Sequence, residues 1–85
     1  MNNIQIFENQ EFGAIRTMRD EKGEPLFCAK DVCDALGYKA ARNALAQHVD
    51  EGDKTTALIQ CTSSSYRTQA IFINESGLYS LILSY

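Results

Sequence analysis

Apolar residues recur at two different spacings along this chain, and the change from one to the other predicts its elements. In Asn3–Glu8, Ile4 and Ile6 point one way while Gln5 and Phe7 point the other, the period of two that marks a short strand. Asn9-Gln10 can turn, and Phe12–Arg19, rich in β-formers, reads as the returning strand. Its inward set stays open: Ile15 with Thr17 and Ala14 with Met18 are both compatible with alternation. Asp20-Glu21-Lys22-Gly23 is a turn, with Gly23 available for positive φ. Pro25 precedes Leu26-Phe27-Cys28, a short strand that proline can begin but not interrupt.

The spacing then lengthens. In Lys30–Leu36, Val32, Ala35 and Leu36 fall at i, i+3 and i+4, one face of a two-turn helix. Asp31 lies in its first turn, where the helix dipole favours a carboxylate, and Gly37 stands where a terminating glycine belongs. Lys39–Val49 repeats the signal. Ala41, Leu45 and Val49 share one face, and Lys39, Arg42, Asn43, Ala46 and Gln47 face elsewhere. Two short helices joined by a glycine-containing turn predict a helix-turn-helix-like pair.

After the polar turn Asp50–Asp53 the β pattern returns. Thr55–Gln60 and Tyr66–Ile73 read as a hairpin whose flexible tip is Thr62-Ser63-Ser64-Ser65. Asn74 is a good N-cap, and Leu78, Leu81, Ile82 and Tyr85 define a third amphipathic helix. It reaches the last residue without a capping signal, which predicts a piece of a longer protein. The expected fold class is α+β: small antiparallel hairpins, in one sheet or two, packed with three short helices.

Length and charge narrow the function. Eighty-five residues suffice for one domain, expected over 1–85. No apolar run approaches the roughly 18 residues that span a bilayer, so no membrane partner is expected. Three cysteines, Cys28, Cys33 and Cys61, without a secretory leader predict reduced thiols in a cytoplasmic setting. The net charge of −3 argues against strong, non-specific nucleic-acid binding, which depends on Lys and Arg. The charges are blocked, however. Residues 35–49 hold Lys39 and Arg42 without an acid, Asp50, Glu51 and Asp53 cluster, and residues 54–74 hold Lys54 and Arg67 without an acid. A locally positive face can therefore exist on an acidic protein.

Catalytic and metal chemistry finds little to stand on. Cys28, Cys33, His48 and Cys61 lack the paired close spacing of a zinc site, and small packed thiols with an ordinary histidine explain them better. Nothing local activates a cysteine for a Cys–His nucleophile pair. Asp31 and Asp34 read as a solvated helix face rather than an acid/base pair, and the five glycines form no phosphate loop. No enzyme activity, metal or cofactor is expected. The polar face of the second helix offers Lys39, Arg42, Asn43 and Gln47, residue types that hold phosphates or read base edges. From spacing alone an ordinary solvated helix face explains it better. Arg16, Arg19, Lys54 and Arg67 could extend the patch.

Two longer segments add a resemblance. Leu26-Phe27-Cys28-Ala29-Lys30-Asp31-Val32-Cys33-Asp34-Ala35-Leu36-Gly37-Tyr38 resembles the core motif of BRO-type N-terminal domains. Phe72-Ile73-Asn74-Glu75-Ser76-Gly77-Leu78-Tyr79-Ser80-Leu81-Ile82 resembles the second hallmark of that family, and residues 48–54 fit the segment between. The family occurs in phage and prophage antirepressors and in baculovirus repeated-gene proteins. The resemblance implies a DNA-binding N-terminal domain, usually followed by a variable C-terminal domain, that controls viral lytic genes in the host cytoplasm. It implies double-stranded DNA as partner, with contacts from Lys39, Arg42, Asn43, Gln47, Lys54, Arg67, Arg16 and Arg19. The alternative is a module that captures a phage repressor through Asp31, Asp34, Asp50, Glu51 and Asp53 without touching DNA. Homodimers suit either reading, with the apolar face of Leu78–Tyr85 as a contact surface.

Overall fold

The computed structural model describes residues 5–9, 13–60 and 67–84. Five strands and three helices follow one another as β1 (Gln5–Asn9), β2 (Gly13–Arg19), β3 (Pro25–Cys28), α1 (Ala29–Leu36), α2 (Ala41–His48), β4 (Lys54–Gln60), β5 (Arg67–Ile73) and α3 (Glu75–Ser84). A single 3₁₀ turn, Glu51–Asp53, precedes β4. This is the expected α+β class. The strands form one antiparallel sheet in the order β1-β2-β3-β5-β4, not two separate hairpins. The predicted turn residue Gln10, the tip Thr62–Ser65, Cys61 and Tyr85 lie outside the described residues.

Local chemistry explains each junction. Between β2 and β3 the Asp20 carboxylate accepts the N–H groups of Lys22 and Glu24, both at 2.9 Å, and Gly23 adopts φ 81°. Pro25 opposes Arg19 at the start of β3, where a missing donor costs least. At the end of α1, Gly37 is left-handed (φ 93°, ψ 12°). Tyr38 N–H reaches the Cys33 carbonyl at 2.9 Å and Gly37 N–H reaches that of Asp34 at 3.2 Å, so two orphan carbonyls are satisfied. Asn74 caps α3 as expected: its side-chain oxygen accepts Gly77 N–H at 2.9 Å. Its amide nitrogen donates to the Asp53 carboxylate at 3.0 Å, which ties the 3₁₀ turn to the start of α3.

One boundary differs from expectation. Helix α2 begins at Ala41, two residues later than the periodicity suggests, because Ala40 is extended (φ −129°, ψ 99°) and offers no side-chain cap. Lys39 therefore sits in the turn before α2, not on its outer face. The turn, residues 37–40, has the length of a helix-turn-helix connection.

The sheet buries apolar groups on both faces, which resolves the open register of β2. One set, Ile73 with Phe27, Ile15 and Ile71, packs on Val32, Cys33, Ala44, Leu45, Val49 and Leu81 from the helices. The other face carries Met18, Leu26, Cys28, Ile59 and Phe72, with no helical residue among them. Ile15 and Met18 thus belong to different cores. The centre of the sheet is the pairing of β3 with β5, Phe27 with Ile73 and Cys28 with Phe72. Each of these strands runs directly into a helix, α1 or α3. Of the predicted α3 stripe, Leu81 is fully buried and Leu78 half-buried, while Ile82 is exposed. Among the described residues no helix is long and apolar enough to cross a membrane.

A candidate nucleic-acid interface

Where β3 gives way to α1, strand β2 loses its neighbour. The last β2–β3 pair before that point is Thr17 with Phe27, and Arg16 comes next. Asp31 fills the gap. Its Oδ2 accepts the Arg16 backbone N–H at 2.9 Å and Nε–H at 2.9 Å, and its Oδ1 accepts Nη2 at 3.1 Å. Nη2 also donates to Cys28 Sγ at 3.3 Å. Burial pushes the Asp31 carboxyl up, but the hydrogen bonds and charge of Arg16 outweigh it and hold the group below the usual carboxylate range. The hydrogen bond to Asp31 raises the Arg16 guanidinium still further against the cost of its own burial.

Beside this pair lies an open groove of about 700 Å³ between the α1–α2 turn and β5. Arg16, Lys30, Lys39 and Arg42 line it, with Asp34 as the acidic member. Thr68 and Gln69 of β5 supply polar groups on the sheet side. Lys30, Lys39 and Arg42 are exposed and form no ion pair among the described residues. Four of the eight cations of a net-negative chain thus border one groove.

The other expected contacts scatter. Asn43 and Gln47 are exposed on α2, one turn apart, and do not line the groove. Arg19, three residues from Arg16 on one strand, leaves the opposite face of the sheet and donates to the Gly23 carbonyl at 2.7 Å. Lys54 pairs with Glu51 at 3.1 Å. Arg67 begins β5, and its side chain lies outside the described part. The acidic alternative is divided as well. Asp31 is held by Arg16 and Glu51 by Lys54, so each ion pair joins a residue expected to bind DNA to one expected to bind protein. Asp34 and Asp50 remain exposed on separate elements, and Asp53 is half-buried against Asn74.

Among the described residues, Cys28, Cys33 and His48 do not form a metal site. Cys28 and Cys33 are buried free thiols, and burial, with the nearby Asp34 and Cys28, pushes the Cys33 thiol up. The His48 ring lies 6.0 Å from that of Tyr38. Among the described residues no group of three His, Cys, Asp or Glu side chains is placed to hold a metal ion.

A family model described as the BRO family, N-terminal domain, matches residues 14–85. The chain belongs to this family. It is 41% identical over 76 residues to protein 289L of Invertebrate iridescent virus 6, which is described as containing a Bro-N domain; 71% of this chain and 18% of that protein are covered. It is also 41% identical over 69 residues to an uncharacterized protein of Haemophilus influenzae, with 81% of this chain and 33% of the relative covered. A second Bro-N protein of the same iridescent virus, 201R, shares 37% over 79 residues, covering 72% of this chain and 19% of that protein. The chain thus spans between about a fifth and a third of the length of these relatives. No solved structure matches it.

The structure shows what the two BRO motifs do. The first is β3, α1 and the Gly37 turn, and the second is β5, the Asn74 cap and α3. They meet at the β3–β5 pairing, so they build the scaffold. Of the groove's cations only Lys30 lies inside a motif. Sequence reasoning missed it because its i,i+4 spacing to Asp34 reads as an ordinary solvated helix face. The BRO scaffold carries the groove on its α1–α2 side, and the cations that line it come from β2, α1, the turn and α2.

Proposed function

We propose that this BRO domain is the DNA-binding module of a longer regulatory protein of viral or prophage type, and that it seats a duplex on the groove beside the α1–α2 turn. The observation that carries this reading is the gathering of Arg16, Lys30, Lys39 and Arg42 around one groove of a protein whose net charge is −3. Lysine and arginine at that density neutralise phosphates, and Asn43 and Gln47 on the exposed face of α2 are side chains that pair with base edges. The repressor-capture alternative has less support, because Asp31 and Glu51 are already spent on Arg16 and Lys54.

The test is the salt dependence of duplex binding by the full chain. Lys30, Lys39 and Arg42, unpaired, give a slope of log K against log salt of about −3. Lys39→Ala and Arg42→Ala each flatten that slope by about one unit. Weak binding with no salt dependence, or variants indistinguishable from the parent, would overturn the reading.

A further inference from the structure

Arginine carries five N–H donors, and at Arg16 three are already committed. Nε–H and one Nη2 hydrogen go to the two oxygens of Asp31, and the second Nη2 hydrogen goes to Cys28 Sγ. The two Nη1 hydrogens have no partner among the described residues. The side chain is 37% exposed and borders the groove. Asp31 is only 16% exposed, and the same carboxylate also takes the Arg16 backbone N–H. One acid therefore fixes both the strand segment and the guanidinium plane.

We propose that Asp31 is a positioning residue for nucleic-acid binding: it presets Arg16 so that the free Nη1 edge meets a backbone phosphate in the groove. The inference rests on the DNA-binding reading of the same groove. A planar guanidinium already held in one orientation loses little side-chain freedom when the phosphate arrives, unlike the exposed Lys30, Lys39 and Arg42. An acidic residue beside a phosphate site would ordinarily repel the ligand. Here its charge is directed at Arg16, and its effect on binding changes sign.

That reversal makes the proposal testable. Asp31→Asn removes a negative charge next to the groove. Charge alone predicts tighter binding of a mixed-sequence DNA duplex. Positioning predicts binding weaker by about tenfold, the size of one lost charge-assisted contact. Arg16→Lys keeps both charges and loses the fork, and it shows the same weakening. In the parent protein, NMR of the arginine side chains finds the Arg16 Nε–H protected before DNA is added and the Nη1 hydrogens protected only afterwards. Thermal melts confirm that each variant is folded, and Arg16→Lys carries the test if Asp31→Asn is not. Binding by Asp31→Asn, or by Arg16→Lys in its place, as tight as the parent's overturns the proposal while leaving the groove reading intact. Failure of the parent to bind any duplex overturns both.

Discussion

The Tyr38 hydroxyl donates a hydrogen bond to the Leu81 carbonyl at 2.8 Å, across 43 residues of chain. Leu81 lies in the last turn of α3, where helix carbonyls lack a partner within the helix. Tyr38 is the residue after Gly37, in the turn that leads to Lys39 and Arg42. The bond thus ties the helix of the second motif to the turn that presents the basic residues. Tyr38→Phe removes it while keeping the ring against the helical core. The expected cost is about 1 kcal/mol, read as a lower urea midpoint with an unchanged slope.

Gly77 predicts a result opposite to the usual rule. Glycine inside a helix ordinarily costs about 1 kcal/mol relative to alanine. Here a Cβ would sit 3.1 Å from Ile73 Cβ and 3.2 Å from Val49 Cγ1, both on buried β-branched residues with little room to yield. Overpacking of this kind typically costs more than the helix gains. Gly77→Ala is expected to destabilise the protein by about 1 kcal/mol in equilibrium urea unfolding, and Gly77→Val by more. Stabilisation by alanine would show that the α3–β5 corner relaxes freely.

Asp31 gives the protein a defined response to acid. Its folded pKa lies below the ordinary 3.8, so its contribution is fully present above that value. As pH falls below 3.8 the unfolded chain takes up the proton first, and the contribution is lost as pH approaches the lower folded value. Arg16 remains charged throughout. Urea unfolding from about pH 5 downwards should therefore show the stability gap between the parent and Asp31→Asn narrowing only below 3.8. A gap that is constant with pH would mean that the carboxylate charge contributes nothing to stability.

Much of the fold was legible because its signals are local. Period two marked the strands, i, i+3, i+4 spacing marked the helices, and Gly23, Gly37 and Asn74 act at the junctions where their chemistry predicts. Helix α2 was overextended because periodicity has no means of seeing that Ala40 is uncapped and extended. The register of β2 looked ambiguous because both answers hold: Ile15 and Met18 serve different faces of a sheet buried on both sides.

The candidate site was legible only in part. The sequence by itself determined the family, through two motifs whose residues are constrained by packing at the β3–β5 seam, and it determined that Lys39 and Arg42 stand apart from acids along the chain. The tertiary structure decided which charges are available. Arg16 lies 15 residues from Asp31, and only the end of β3 at Cys28 places that carboxylate beside β2. Strand alternation sent Arg19 away from Arg16, Lys54 found Glu51, and Lys30 joined the groove from α1. Helix and strand periods are set by a residue's own backbone and near neighbours, so they can be read from sequence. Electrostatic partnership depends on distances across the fold, and those appear only when the chain has closed on itself.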